Sequence, residues 1–368
     1  MHYYISKKLQ LFLNTEYFFL NQLFYRFNKC YVSKKSHIRS LILKKAGSLF
    51  ILFLFVFAPK IWGQQDPQFS QNMFNFLAVN PGYAGSSDMI NLMAVSRQQW
   101  VGLEGRPKTT VFGADAAIAP FGVQSGIGIN FMNDQLGFLN NITGTLSYST
   151  KYELKFGTLG VGLSVGFYNQ VLDPSSGEGW ITGGEPDPNG NSNTSNEQDD
   201  PLLFSNKVSG SAADFGIGAF LKNEQYYVGF SMTHLFNPSP KFDENYFFYL
   251  KRHYYLMGGY TYPLRDKPIV LNPSIFFKSD GASFQTDLNI NAVYKKRYWG
   301  GLSYRLQDAI VLLAGIELKN GLKIGYSYDI PISKSATNFG GSHEMMFGYT
   351  FDLNFDKKNR RYRSVRYL

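Results

Sequence analysis

Residues 159–169 read Leu-Gly-Val-Gly-Leu-Ser-Val-Gly-Phe-Tyr-Asn, and this stretch decides the fold class. The odd positions from Leu159 to Phe167 are all apolar, whereas the even positions carry glycine, serine or tyrosine. Successive side chains of a β-strand point to opposite faces, so this period of two predicts a strand. One face of that strand is apolar, and the other carries small or polar side chains.

The same alternation recurs along the chain after Gln64, where no long stretch has the helical period of 3.6. In the last such segment, Met345, Phe347 and Tyr349 face away from Glu344, Gly348 and Thr350. We predict fourteen strands: 88–98, 108–118, 123–133, 141–153, 158–170, 209–221, 226–235, 249–262, 268–278, 284–294, 297–305, 309–318, 321–330 and 343–355. Most have the length of about 9–11 residues or more that a tilted membrane-spanning strand requires.

The connections between these strands alternate in length. The first, third, fifth, seventh and thirteenth are the longer ones: 99–107, 134–140, 171–208, 236–248 and 331–342. The even-numbered connections are tight turns such as Ala119-Pro-Phe-Gly, and the ninth and eleventh are short but fall on the long-loop side. Outer-membrane barrels have long loops on one rim and tight turns on the other, whereas a soluble sandwich has no reason to keep this parity. The sequence therefore predicts an all-β fold, a transmembrane antiparallel up-and-down β-barrel of about 14 strands spanning 88–355 in the outer membrane.

Aromatic residues recur at the ends of the predicted strands. Aromatics make up 17% of the chain, and eight tyrosines at strand ends suit the girdles at the two membrane interfaces: Tyr152, Tyr168, Tyr260, Tyr262, Tyr294, Tyr326, Tyr328 and Tyr349. The alternative is that they fill a soluble core.

The net charge of +9 belongs to the leader and not to the barrel. Residues 1–63 hold ten basic residues and one acid, which leaves 26 basic and 26 acidic residues in 64–368. Residues 64–368 therefore have no net positive charge, which argues against a nucleic-acid partner. The single cysteine, Cys30, also lies in the leader, so the rest of the chain has no disulfide or thiolate chemistry.

The first 63 residues read as a leader with a signal peptide. Lys44-Lys45 followed by the apolar run 46–58 has the charged and hydrophobic regions of a secretory signal, and cleavage is expected near Gly63. Residues 1–40 are too long for an ordinary charged region, and we interpret them as an over-extended gene start. The mature chain then consists of a periplasmic or luminal N-terminal segment (64–87), the barrel, and a basic periplasmic tail (356–368).

Motifs for catalysis and ligand binding are weak. The glycines of 160–166 are misplaced for a dinucleotide loop, and His234, His253 and His343 have no zinc-protease spacing. The run 185–196 only partly imitates a calcium loop, because prolines interrupt it and its twelfth position is not Glu. Inward positions of mixed sign suit a polar or plugged lumen without a selectivity ring: Asp214, Asp287, Lys323, Asp329 and Glu344. We therefore predict no catalytic residue, no metal and no cofactor.

Three motifs near the start of the mature chain carry a family resemblance. They are Gln65-Asp-Pro-Gln-Phe-Ser-Gln71, Asn80-Pro-Gly-Tyr-Ala-Gly-Ser86, and Gln99-Trp-Val-Gly102 with Pro107-Lys-Thr109. With Asn133-Asp-Gln-Leu-Gly137 and the basic, aromatic C-terminus, they resemble PorP/SprF-type outer-membrane proteins of the type IX secretion and gliding machinery of Bacteroidetes. The signature residues, for which the resemblance implies a structural or docking role, are Asp66, Pro67, Gln68, Phe69, Ser70, Gln71, Asn80, Pro81, Tyr83, Ala84, Gly85, Gln99, Trp100, Gly102 and Pro107.

The resemblance implies a non-enzymatic barrel that assists export or surface attachment of secreted proteins. The implied partners are outer-membrane lipid, other type IX secretion components including periplasmic lipoprotein-ring proteins, and a secreted adhesin with a C-terminal sorting domain. Two alternatives stay open: a passive outer-membrane channel or hydrophobic-solute transporter, and an outer-membrane enzyme with a catalytic cluster at the rim.

Overall fold

The computed structural model of the protein describes residues 66–87, 89–173, 207–243, 246–247, 249–333 and 340–351. The predicted leader with its cleavage site, most of the loop 171–208, and the basic tail 356–368 lie outside the described residues.

The described part of the chain is dominated by antiparallel strands. They are β1 Ile90–Gln98, β2 Lys108–Ile118, β3 Ser125–Leu136, β4 Leu139–Leu154, β5 Gly157–Leu172, β6 Val208–Lys222, β7 Tyr226–Thr233, β8 Lys241–Asp243, β9 Tyr246–Phe247, β10 His253–Tyr260, β11 Tyr262–Pro263, β12 Ile269–Ser279, β13 Phe284–Tyr294, β14 Tyr298–Arg305, β15 Ala309–Glu317, β16 Leu322–Pro331 and β17 Ser342–Phe351.

The strands close into one ring. From β1 to β7 and from β12 to β17, each strand pairs with the next one along the chain. β10 pairs with both β7 and β12, and β1 pairs with β17, which closes the ring. The short β11 continues the course of β10 after the break at Thr261, and β8 and β9 form a separate small hairpin. The wall therefore has fourteen strands, which confirms the predicted up-and-down barrel.

The alternating pattern places apolar side chains on the outside of the barrel. In β5, Val161 and Leu163 are 46% and 55% exposed, whereas Gly160 and Gly162 between them are buried. Glycine, serine, asparagine and charged residues recur on the inner face, beside buried apolar residues such as Val311 and Trp299. The outer face is apolar, as contact with lipid requires.

The tyrosine prediction is wrong at one position. Six of the eight tyrosines are exposed on the outer face, but Tyr168 is 6% exposed and points into the lumen. Its parity in β5 decides this, because Tyr168 shares the inward face with the glycines. Its hydroxyl donates to Asn141 Oδ1 at 2.8 Å, so the buried oxygen is satisfied.

The connections define two rims. We call the end of the barrel at residues 99–107 and 234–252 the long-loop rim, and the end at 119–124 and 223–225 the short-turn rim. The third connection differs from the prediction, because β3 and β4 extend toward each other and leave only residues 137–138 between them. The polar residues 133–135 stay in the ladder, where they pair with residues 140–142 of β4.

Residues 66–87 precede the first strand and contain three very short helices. These are the 3-10 helices Asn72–Phe74 and Pro81–Tyr83 and the single-turn α-helix Phe76–Val79. Within the described ranges, no helix combines the length and the apolar character that a membrane crossing requires.

Candidate functional site

The segment 66–87, which we call the lumen segment, lies inside the barrel and packs against the inner wall. Its apolar side chains join inward-facing residues of the strands in one buried cluster. Phe74 packs on Trp299 with ring centroids 5.4 Å apart, and Phe76 packs on Tyr227 at 5.2 Å. The cluster also explains why β15 is apolar on both faces, because Val311 on its inner face is fully buried there.

A network of charged residues surrounds the first part of the lumen segment near the long-loop rim. We call it the carboxylate–arginine cluster; its strand members are Arg97, Asp287, Arg305, Asp329 and Glu344, all at most 2% exposed. Arg97 lies 2.7 Å from Asp329 and 3.2 Å from Glu344, measured between nitrogen and oxygen. Arg305 lies 2.9 Å from Asp329 and 3.2 Å from Asp287.

The lumen segment completes this cluster with its own hydrogen bonds. The backbone N–H groups of Ser70 and Gln71 each donate to the Glu344 carboxylate at 2.8 Å. The Ser70 hydroxyl donates to Asp329 at 2.7 Å and accepts from Arg97 at 2.7 Å. Buried charges are tolerated only when they are paired and hydrogen-bonded, so the segment and the wall depend on each other at this position.

A second polar group, which we call the Asp66 group, lies at the start of the lumen segment. The Asp66 carboxylate lies 3.1 Å from His234 Nε2 and accepts a 2.5 Å hydrogen bond from the Tyr255 hydroxyl. The Asp66 carbonyl oxygen accepts a 2.8 Å hydrogen bond from Lys278. These partners belong to β10, β12 and the residue after β7, so they join the segment to three strand ends.

The charges of the Asp66 group reinforce one another. Burial alone would raise the pKa of Asp66, but His253 and His234 outweigh burial and hold that pKa well below its usual range. Burial alone would lower the pKa of His234, but the carboxylates of Asp66 and Asp214 raise it above its usual range.

The last part of the lumen segment follows the wall toward the short-turn rim. Asn80 is fully buried; its Oδ1 accepts from the Gly82 N–H at 2.9 Å and its Nδ2 donates to the Ala219 carbonyl at 3.1 Å. Gly85 has a φ of +63°, which favours glycine, and its N–H donates to Asp115 at 3.2 Å. These contacts fix the turn by which the chain leaves the lumen and enters β1.

Asn80→Ala should lower the free energy of unfolding by about 1 kcal/mol, because it removes the side chain that caps the helix Pro81–Tyr83. Asn80→Ser keeps a capping oxygen but cannot reach Ala219, so its loss should be smaller. The measurement is the urea midpoint of the detergent-solubilised barrel, followed by tryptophan fluorescence. Equal losses for the alanine and serine variants would contradict a capping role.

A family model described as type IX secretion system membrane protein PorP/SprF matches residues 61–349. The match covers more than half of the chain, including the lumen segment and every strand up to β17.

The chain belongs to the PorP/SprF family.

It is thus an outer-membrane β-barrel of a type IX secretion family, as the resemblance predicted. A search of the curated proteins finds no match.

Solved structures similar to this PorP/SprF barrel have low sequence identity. Omp33 from Acinetobacter baumannii is 5% identical, with 72% of this chain and 98% of that chain covered and a TM-score of 0.41. The toluene transporter TbuX from Ralstonia pickettii is 12% identical, with 80% and 96% covered and a TM-score of 0.41. The P. putida toluene transporter TodX is 10% identical, with 74% and 92% covered and a TM-score of 0.41.

The PorP/SprF signature residues occupy two places in the fold. Those up to Gly85 lie along the lumen segment, where Gln68 donates to Asp287 at 2.9 Å and Ala84 is fully buried. Pro67, Phe69, Pro81 and Tyr83 lie on the same segment. Among the described residues, the hydrogen bonds of this part of the signature run to the barrel wall or within the segment.

The remaining signature residues lie together in the first connection at the long-loop rim: Gln99, Trp100, Gly102 and Pro107. The Gln99 N–H donates to the Pro107 carbonyl at 3.0 Å, and the Trp100 N–H donates to Ser342 at 3.2 Å. Gly102 has a φ of +101°, a conformation that other residues rarely adopt. This connection is thus tied to the start of β17.

Sequence reasoning missed several residues of the PorP/SprF lumen. Arg97 and Arg305 were not singled out, although both stand on the inward parity of their strands. His234 and His253 were set aside for lack of a zinc motif, yet β7 and β10 bring them to one carboxylate. The available signal was their position at facing ends of neighbouring strands. The inward carboxylates Asp287, Asp329 and Glu344 were expected in a polar or plugged lumen, and they are buried there.

Proposed function

We propose that this protein is a non-enzymatic scaffold of the type IX secretion and gliding machinery that assists export or surface attachment of secreted proteins. Membership of the PorP/SprF family supports a role as a secretion component. The lumen segment is the observation that favours a scaffold over a channel. Its buried aromatic cluster and its ion-paired hydrogen bonds occupy the space that a channel has to keep open for its solute.

The two rims divide the proposed contacts. The apolar outer face meets outer-membrane lipid, and the long-loop rim meets secreted proteins such as an adhesin with a C-terminal sorting domain. The short-turn rim and the basic tail 356–368 meet periplasmic components, including lipoprotein-ring proteins. Export through the signal peptide, with cleavage near Gly63, precedes assembly.

Exposed phenylalanines at the short-turn rim support a partner on that side. Phe121 is fully exposed at the tip of the turn between β2 and β3, and Phe156 is 56% exposed in the turn between β4 and β5. Exposed aromatic side chains of this kind contribute to a protein–protein interface when a partner covers them.

Co-purification from native membranes tests the scaffold function. We expect the tagged wild-type barrel to recover periplasmic secretion components, and Phe121→Ser to lower their recovery by about tenfold, because burying one Phe at an interface contributes roughly 1.5–3 kcal/mol. Phe236→Ser at the long-loop rim is the matched control, since Phe236 is 71% exposed but contacts Phe215 on the outer face. It should leave that recovery unchanged.

Planar-bilayer recording tests the competing channel function on the same preparation. The scaffold proposal expects the wild-type barrel to add no steady conductance. Stable conductance together with no recovered secretion component or exported adhesin would favour the passive channel or hydrophobic-solute transporter instead.

A further inference from the structure

Two histidines from neighbouring strands face the first residue of the described lumen segment. His253 begins β10 and is paired with Thr233 of β7, and His234 follows directly on Thr233. Both imidazoles are buried, and each lies beside Asp66. One ligand atom from each of Asp66, His234 and His253 lies within 4.8 Å of the other two.

Each imidazole is oriented by an oxygen on its Nδ1 side. His234 Nδ1 lies 2.9 Å from Asp214 Oδ2, and His253 Nδ1 lies 3.0 Å from the Lys251 carbonyl oxygen. His234 Nε2 lies 3.1 Å from the Asp66 carboxylate. His253 Nε2 accepts a hydrogen bond from the Asp66 backbone N–H at 3.2 Å, and His253 Nδ1 lies 3.8 Å from the Asp66 carboxylate. Metal-binding histidines typically have one nitrogen held by a carboxylate or carbonyl while the other binds the ion, as His234 is placed to do. His253 has the oriented Nδ1 as well, but its Nε2 has to exchange the Asp66 N–H for the ion.

A small cavity of about 50 Å³ adjoins the same residues. Asp66, Asp214 and His234 line it. Among its other lining residues, the buried atoms Asn130 Nδ2 and Thr143 Oγ1 have no hydrogen-bond partner among the described residues. The wall of the cavity is partly apolar, but these polar groups line one part of it, and the cavity is large enough for a water molecule, which is the usual fourth ligand of a three-residue site.

We propose that Asp66, His234 and His253 bind a divalent transition-metal ion, for which Zn²⁺ has the best-matched ligand set. Two imidazoles and one carboxylate suit zinc and the later first-row metals, and they suit calcium and magnesium poorly. The ion lies between His234 Nε2 and the Asp66 carboxylate, while Asp214 keeps its contact with His234 Nδ1. It thereby joins the start of the lumen segment to β7 and β10, a role separate from scaffolding.

Metal binding by the intact barrel tests this site. The full mature protein, purified from outer membranes with a histidine-free tag, is stripped with a chelator and dialysed against Zn²⁺. Elemental analysis should find about one Zn²⁺ per barrel. His253→Gln should remove it, and Asp214→Asn should weaken binding by about 10–100-fold, because Asp214 acts through His234. His343→Gln is the matched control; His343 bonds Tyr326 on another part of the barrel, and its loss should leave the zinc in place.

A second measurement does not depend on variants that fold poorly. Added Zn²⁺ should raise the Tm of the stripped wild-type and His343→Gln barrels, since an ion that binds only the folded state stabilises it. Co²⁺ in its place should give the visible absorption of a four-coordinate site. A folded wild-type barrel that binds no Zn²⁺ after dialysis, or that retains it equally in His253→Gln, would overturn the proposal.

Discussion

Arg305→Met is expected to destabilise the barrel by about 3–5 kcal/mol, because removing one partner of a buried ion pair leaves an uncompensated charge. Arg305 is 1% exposed and neutralises both Asp287 and Asp329, and it also donates to Ser70 of the lumen segment. The cost therefore falls on the wall and on the segment together. The urea midpoint of the detergent-solubilised protein measures it.

Two further variants separate the charge effect from the loss of a large side chain. Arg265→Met removes an arginine that is exposed in the turn after β11, and it should shift the midpoint little. Arg305→Met combined with Asp287→Asn also removes one of the two carboxylates that Arg305 had neutralised, and it should recover part of the lost stability. If Arg305→Met matches Arg265→Met, the carboxylate–arginine cluster does not hold the lumen segment in the way we describe.

Gly162→Ala is expected to displace the lumen segment and to cost about 1–3 kcal/mol by overpacking. A Cβ at Gly162 would lie 2.5 Å from the Pro81 carbonyl carbon and 2.7 Å from the Gly82 nitrogen. These are backbone atoms and cannot rotate away, so the segment itself has to move. Gly258→Ala is the matched control, because its Cβ would have only ordinary contacts, the nearest 3.6 Å away.

Thiol labelling reports the displacement directly. The only cysteine of the chain, Cys30, lies in the predicted leader, so Val79→Cys in a protein that begins at residue 64 introduces a single thiol, in the lumen segment. Its reaction with a maleimide should be slow in the parent barrel, faster with Gly162→Ala, and unchanged with Gly258→Ala. Equal rates in all three would show that the segment is not seated against Gly162.

The wall was predictable from sequence because its determinant is local. A period of two appears within a single strand, as in 159–169, and it needs no knowledge of the partner strand. The exceptions are also local: polar residues 133–135 look like a loop but extend a ladder, and Tyr168 is aromatic but takes the inward parity.

The interior was less predictable, because its contacts join distant parts of the chain. Ser70 meets Glu344 across 274 positions, and Asp66 meets Tyr255 across 189. No periodicity encodes such pairs, since each side contributes only one or two polar atoms. Besides the segment 64–87 before the first strand and the inward charges of mixed sign, a sequence signal of a filled lumen is β15, whose apolar inner face needs a partner that a water-filled barrel does not provide.

The order of events during assembly follows from where the first and last strands meet. Arg97 of β1 stands directly opposite Glu344 of β17, and Glu344 accepts the N–H groups of Ser70 and Gln71. The residues that face each other where β1 meets β17 therefore also bind the lumen segment. Once β1 and β17 have paired, the interior can be reached only through the two ends of the barrel. We therefore expect the lumen segment to enter the interior before the sheet closes. Pairing of β17, the last strand, with β1, the first, then completes only in a barrel that already holds the lumen segment.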